Sequence, residues 1–224
     1  MLLAGDSAHV HSPNGGQGLA LGLLDATNLG WKLAATVLGR APDGLLDSYT
    51  AERHPAAAAV LHNTRAQSAL LRPGPHTDAL RDIVSDLMDI EEVNQYFGRM
   101  LSGLGIRYAL PYTEAGAHRL TGAYCPDLRL TTETSGEAPA TSLAQLAEQG
   151  RPVLIHTRDY PEVPAATAVR HGVLSVAAAD TLDRDDLCAV LVRPDGVIAW
   201  AVAPGRPADT TGLEHALRAW FAPA

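Results

Sequence analysis

The chain has 224 residues, 46% hydrophobic and 19% charged, which supplies apolar side chain for a real core in one or two domains. A formal net charge of −8 disfavours a nucleic-acid partner, because phosphate binding needs clustered Lys and Arg. No apolar run approaches a membrane span, Met1-Leu2-Leu3-Ala4 is too short for a signal peptide, and the distant Cys125 and Cys188 argue against a disulfide framework or thiolate zinc site. A cytoplasmic protein with no membrane partner is expected.

Residues 1–5 predict a short buried strand. Residues 16–39 predict a helix that is apolar nearly all round, with Leu19, Leu21, Leu23, Leu24, Leu29, Leu33, Val37 and Leu38. Gly39 and Pro42 stop it, and a helical turn follows at about 44–50. A longer helix is predicted over about 53–71, with Pro55 in its first turn, where a missing N–H costs little. Arg72-Pro73-Gly74-Pro75 ends it. Leu80, Ile83, Val84, Leu87 and Met88 mark the next helix; Val93, Tyr96, Phe97, Met100, Leu101 and Leu104 mark another.

The pattern changes near Leu110-Pro111, which divides the chain into 1–110 and 111–224. Residues 131–140 predict a flexible loop. Thr141 is placed to cap a helix at about 142–149, ended by Gly150. Pro152–His156 and Val173–Val176 read as buried strands. Ala189–Val192, the turn Arg193-Pro194-Asp195-Gly196, and Val197–Ala201 read as a hairpin. Thr211-Gly212-Leu213-Glu214 is a capping box opening a last helix with Leu217, Trp220 and Phe221 on one side. Strand, strand, hairpin and closing helix look like the thioredoxin fold. No redox cysteine pair accompanies it, so thiol chemistry is not expected there.

The glycine-rich stretch Pro13-Asn14-Gly15-Gly16-Gln17-Gly18 leads directly into the first helix. Glycines there let backbone N–H groups meet a ligand, and the helix dipole favours an anionic or electron-rich edge. A plain glycine turn is the alternative. Asp6, after the first apolar segment, can accept hydrogen bonds from sugar or ribitol hydroxyls; an Asp capping the next turn is its alternative. His9 and His11 form an H-x-H with no third ligand at useful spacing. Asp6, Ser7 and His9 lie too close in sequence for a hydrolase triad, and no GxSxG occurs. Asp127, Asp183, Asp185 and Asp186 read as loop charges or caps. Trp31, Trp200 and Trp220 read as core.

The ordered set is more specific than any member: Gly5-Asp6, Pro13, Gly16-Gln17-Gly18, Asp25-Ala26, Asn28-Leu29, Trp31-Lys32-Leu33, Tyr49, Glu52-Arg53 and Pro55. It resembles the second half of the FAD domain of class A flavoprotein monooxygenases, the para-hydroxybenzoate hydroxylase group, over residues 1 to about 60. Arg65–Pro73, Leu101–Leu104, Pro126-Asp127-Leu128 and Val192–Gly196 look like the branch that hydroxylates aromatic polyketides, whose C-terminal domain is thioredoxin-like without active cysteines. The resemblance thus implies an α/β chain: the helical remainder of a FAD-binding domain over 1–110, then a thioredoxin-like domain over 111–224.

The resemblance implies FAD as cofactor, NAD(P)H as reductant and a small aromatic substrate. Gly5-Asp6 would take the ribitol or pyrophosphate region. Pro13 would lie beside the flavin ring, and the backbone of Gly16, Gln17, Gly18 and Leu19 would face its pyrimidine edge. A helix N-terminus there would stabilise negative charge on reduced flavin. Ser7, Ser12 and Asn14 depart mildly from commoner family residues. The family's GxGxxG unit and its Asp-Gly contact to FAD and NAD(P)H do not occur; Asp43-Gly44 and Asp195-Gly196 sit in other contexts. An unpaired strand 1–5 and a partly uncovered apolar helix lead to the expectation that this is the C-terminal portion of a longer hydroxylase. A homo-oligomer or a complementing N-terminal half are the partners to expect. Baeyer–Villiger oxygen insertion on the same scaffold, and a non-catalytic thioredoxin-like module, remain alternatives.

Overall fold

The computed structural model describes residues 1–111, 117–130, 142–157, 160, 165–178, 184–206 and 209–222. The expected loop at 131–140, Thr141 and Asp183 lie outside them. The chain forms two compact units, Met1–Gly30 with Asp47–Ile106, and Trp31–Leu46 with Arg107–Ala224.

The first unit is helical. The strand expected over 1–5 is absent: Ala4 is extended (φ −143°, ψ 153°), but Gly5–Ser7 turns as a 3-10 helix. A strand exists only through a neighbour's ladder, and no described strand pairs with this segment. The Leu3 carbonyl instead accepts the Tyr49 hydroxyl at 2.7 Å. Helix α1 (Gln17–Val37) follows a 3-10 turn at Asn14–Gly16. It ends in a Schellman motif: Gly39 takes φ +69°, its N–H reaches Thr36 O, and Arg40 N–H reaches Ala35 O.

Helix α2 (Asp47–Leu70) merges the two segments expected at 44–50 and 53–71. Pro55 therefore lies inside it rather than in a first turn. The missing hydrogen bond and ring clash cost about 3 kcal/mol, but the turns before Pro55 are held by buried Tyr49, Glu52 and Arg53. Helix α3 (Pro75–Met88) starts on a proline, and α4 (Glu91–Ser102) stops at Gly103, which is left-handed at φ +78°.

The second unit holds the sheet. After α5 (Leu143–Ala147) come β1 (Val153–Thr157), α6 (Ala165–Arg170), β2 (Leu174–Ala178), β3 (Ala189–Val192), β4 (Ile198–Val202) and α7 (Thr210–Trp220). Ser142, not Thr141, caps α5 by accepting from Gln145 N–H. The sheet order is β2-β1-β3-β4. β1 and β2 run parallel, with Val153 opposite Leu174, while β3 is antiparallel to both β1 and β4. That order and polarity, closed by a helix, is the thioredoxin topology. β1 is central and β3 and β4 form the hairpin, so their residues are buried almost throughout. Leu128, Leu143, Leu146, Val153, Ile155, Val190 and Ile198 share one core cluster.

The capping box expected at Thr211 shifts by two residues. Asp209 is the N-cap, accepting from Gly212 N–H at 2.8 Å. Its other oxygen accepts Trp200 Nε1–H at 3.2 Å, and its own N–H reaches the Tyr160 hydroxyl. Those tertiary bonds select Asp209 over Thr211. Trp31 and Lys32 from the end of α1 also belong to this unit. Trp31 meets Trp220 edge-on, 6.3 Å between ring centres, and Arg193 lies 4.2 Å over the Trp220 ring while paired with buried Asp195.

Candidate functional site

Asp25 on α1 organises the N-terminal turn. It is 1% exposed. Its carboxylate accepts Gly5 N–H at 2.9 Å, His9 Nε2–H at 2.7 Å and Arg53 Nε–H at 2.7 Å. Arg53 also donates to the Leu21 carbonyl. Burial alone would raise the Asp25 pKa, but the hydrogen bonds from Arg53, His9 and Gly5, with the Arg53 charge, outweigh it and hold the carboxyl below its usual value. Nearby, Asn28 donates to Glu52 at 2.7 Å, again between α1 and α2.

Gly5 is positioned by this hub and by packing. It adopts φ +58°, and a side chain on Gly22 would meet its Cα at 3.5 Å. Two glycines thus let the Gly5–Ser7 turn lie on the α1 backbone. Asp6, next in the turn, presents an exposed carboxylate.

The glycine-rich stretch is fixed from the other side. Gly15 and Gly16 take φ +76° and +64°, and a side chain on Gly16 would meet nothing within 4 Å. Gly16 N–H closes on Pro13 O at 3.0 Å. Asn14 donates to Ser68 on α2 at 2.9 Å. Gln17 is buried: its amide donates to the Met100 carbonyl and accepts from Asn63. Its side chain is therefore a strut, leaving only its backbone for a ligand. Pro13 is exposed, Gly18 half-buried, and the Leu19 side chain 77% exposed. The structure brings Pro13, Gly16, Gln17, Gly18 and Leu19 into one loop-to-helix junction, and Gly5-Asp6 into a second turn on the same helix.

Residue reading missed the hub of His9, Asp25 and Arg53. A signal was available: Asp25, Asn28 and Lys32 interrupt an otherwise apolar helix at spacings of three and four, the mark of buried polar partners. His9 is spent on Asp25, and His11 Nδ1–H donates to the Ser12 carbonyl at 2.7 Å. Asp127 accepts Ala144 N–H at the start of α5. Asp186 is held at about 2, first by the hydrogen bond from Arg184. Burial pushes the Cys125 thiol up to about 12 and raises Cys188. No helix among the described residues is long and apolar enough to cross a membrane.

A glycine-rich turn opening an apolar helix and a cysteine-poor thioredoxin topology are both accounted for by known families. Residues 1–64 match the FAD binding domain family, and residues 118–224 match the family described as aromatic-ring hydroxylase, C-terminal. Over these two stretches the chain belongs to the FAD binding domain family and to the aromatic-ring hydroxylase, C-terminal, family. It is 46% identical over 228 residues to a 12-dehydrotetracycline 5-monooxygenase/anhydrotetracycline 6-monooxygenase of Streptomyces rimosus, covering 100% of this chain and 43% of that protein. It is 43% identical to a dialkyldecalin synthase of Streptomyces rugosporus, covering 100% of this chain and 42% of that protein. Among solved structures, the OxyS anhydrotetracycline hydroxylase from Streptomyces rimosus superposes with a TM-score of 0.87 at 44% identity, over 100% of this chain and 45% of that one. The chain therefore spans less than half the length of these relatives.

Proposed function

We propose that this chain carries the ring and ribitol side of the cofactor site in an FAD-dependent monooxygenase that hydroxylates an aromatic polyketide, using NAD(P)H and O2. One observation carries the reading: a buried carboxylate, Asp25, fixes the turn that presents Asp6, while positive-φ glycines open the start of the same helix. The residues fit such a group. Asp6 is an exposed acceptor for ribityl hydroxyls. Gly16, its own N–H closed on the Pro13 carbonyl, leads into the first turn of α1, where Gln17, Gly18 and Leu19 offer backbone N–H groups and a partial positive charge to an electron-rich ring edge. Pro13 would form the wall beside the ring. Residues 1–110 would serve as the flavin-domain portion and 111–224 as the thioredoxin-like domain.

When bound, FAD would relay two electrons from NAD(P)H to O2, one oxygen atom entering the substrate and the other leaving as water. The protein's part is positional. Asp6 holds the cofactor's polyol, the α1 N-terminus stabilises charge, and neither needs to reorganise, because Asp25, Gln17 and Asn14 already brace both turns.

The test uses the gene product that carries this chain. Riboflavin fluorescence should be quenched on binding, and Asp6→Asn should weaken that binding about tenfold, the worth of one charge-assisted hydrogen bond. With FAD, NAD(P)H and anhydrotetracycline, mass spectrometry should show one added oxygen. Failure of both flavin binding and oxygen incorporation would overturn the proposal. The dialkyldecalin synthase relative favours a second reading, a synthase on the same scaffold. Conversion of an acyclic polyene to a cyclic product of unchanged mass, without O2 uptake, would select it.

A further inference from the structure

A cleft of about 410 Å3 opens in the helical unit beside the loop that leads to Pro13. That volume lies in the range of small-molecule sites, roughly 300–1,000 Å3. Val10, His11 and Ser12 form one wall; Leu61 and Arg65 on α2, with Arg72 just beyond it, form the other. Each group differs in what it has left to offer.

The two α2 hydroxyls lining the cleft are committed. Thr64 donates to the Leu61 carbonyl; Ser68 donates to the Thr64 carbonyl and accepts from Asn14. The cations are not. The guanidiniums of Arg65 and Arg72 are exposed, with no ion pair or hydrogen bond among the described residues. Arg65 on α2 and Arg72 in the turn just past its end line the same cleft. His11 is oriented by its own bond: Nδ1–H donates to Ser12 O, which leaves Nε2 as an acceptor in the neutral ring. Val10, 82% exposed, and Leu61 supply apolar surface between these polar groups.

We propose that this cleft binds an acidic phenolic aromatic, with its ring against Val10 and Leu61, its anionic group on Arg65 and Arg72, and a phenol O–H donated to His11 Nε2. Guanidinium suits this role because its planar fork pairs with a carboxylate and its face stacks on aromatic rings. Desolvating the ring supplies affinity; the two arginines supply the choice of acid over neutral analogue. The proposal deepens the hydroxylase reading by naming the substrate's chemistry, and rests on that reading for its role though not for the binding itself.

The probe is 4,5-dihydroxyanthraquinone-2-carboxylate, with its 2-carboxamide as the neutral twin, titrated calorimetrically into the full chain. The carboxylate should bind about tenfold tighter than the carboxamide. Arg65→Gln and Arg72→Gln should each weaken the carboxylate about five- to tenfold and leave the carboxamide unchanged. Both side chains are exposed, so both variants should keep the wild-type circular dichroism and melting temperature. Equal binding of acid and amide, or an unchanged Kd in both variants, overturns the proposal. So does inorganic phosphate binding as tightly as the aromatic acid, which would mark a plain anion site. If the acid binds with the expected pattern while the gene product neither binds riboflavin nor oxygenates, the hydroxylase reading fails and the cleft stands. If flavin binds and the acid pattern is missing, the cleft alone fails.

Discussion

Asp25 concentrates more consequence than any other side chain in the helical unit. Its buried carboxylate meets the backbone of the Gly5 turn and a buried histidine and arginine. Asp25→Asn keeps the shape but removes the charge that balances buried Arg53, so a loss of about 3–5 kcal/mol is expected in urea unfolding. Because the turn presenting Asp6 hangs on this carboxylate, riboflavin affinity should fall in the same variant. The linkage has a definite sign. The folded pKa lies below the ordinary carboxyl value of 3.8, so the unfolded chain takes up the proton first. The stabilisation is complete above 3.8 and is lost as pH falls through the lowered value. Wild-type stability should therefore drop more steeply than that of Asp25→Asn below that point. Gly122 is the second sharp position. It adopts φ +86°, and a Cβ there would stand 2.2 Å from the Tyr108 carbonyl oxygen. Tyr108 N–H in turn donates to Gly122 O. Gly122→Ala should cost about 3 kcal/mol, read as a fall in melting temperature.

At the scale of elements, caps and boundaries follow tertiary partners. α7 starts where Asp209 can serve both Gly212 N–H and Trp200. Asp209→Ala should cost about 1–2 kcal/mol, and Asp209→Asn less, because an amide oxygen still accepts from Gly212. Thermal melts of the two variants check the order. Thr211→Ala, at the capping box the sequence suggested, should leave the melt nearly unchanged. α2 makes the complementary point. Pro55 is a breaker by local preference, yet the helix runs through it because Tyr49, Glu52 and Arg53 are tied down in the turns before it.

At the scale of the molecule, two architectures with different chemistry share one chain. The second unit has thioredoxin topology, but its thiols are placed against redox use. Cys125 sits at about 12 through burial, so the thiolate is a trace species at neutral pH. Cys188, just before β3, is buried and also raised, its thiol facing the Val202 carbonyl. At pH 8 neither should react quickly with an aromatic disulfide reagent, and both should react on unfolding. Fast labelling of the folded protein would contradict this. The unit reads instead as packing: Leu154, Leu191, Leu213 and Leu217 are fully buried.

The sequence by itself determined the parts governed by local chemistry and pattern. Glycines before an apolar helix, a hairpin signalled by Pro194-Asp195-Gly196, and the alternation of short apolar runs with helices were legible without coordinates, as was the family. Tertiary structure decided what depends on partners distant in the chain. Residues 1–5 look like a strand by composition, but strands are made by neighbours, and the Leu3 carbonyl found Tyr49 instead. Asp25, Asn28 and Arg53 were visible as motif letters; only folding showed that Asp25, held by Arg53, braces the turn carrying Asp6, while Asn28 ties α1 to α2 through Glu52. The cleft between Arg65, Arg72 and His11 likewise exists only once α2 lies beside the loop before Pro13. Propensity and period act over a few residues, whereas a buried charge is settled by whichever groups the fold brings within hydrogen-bonding distance.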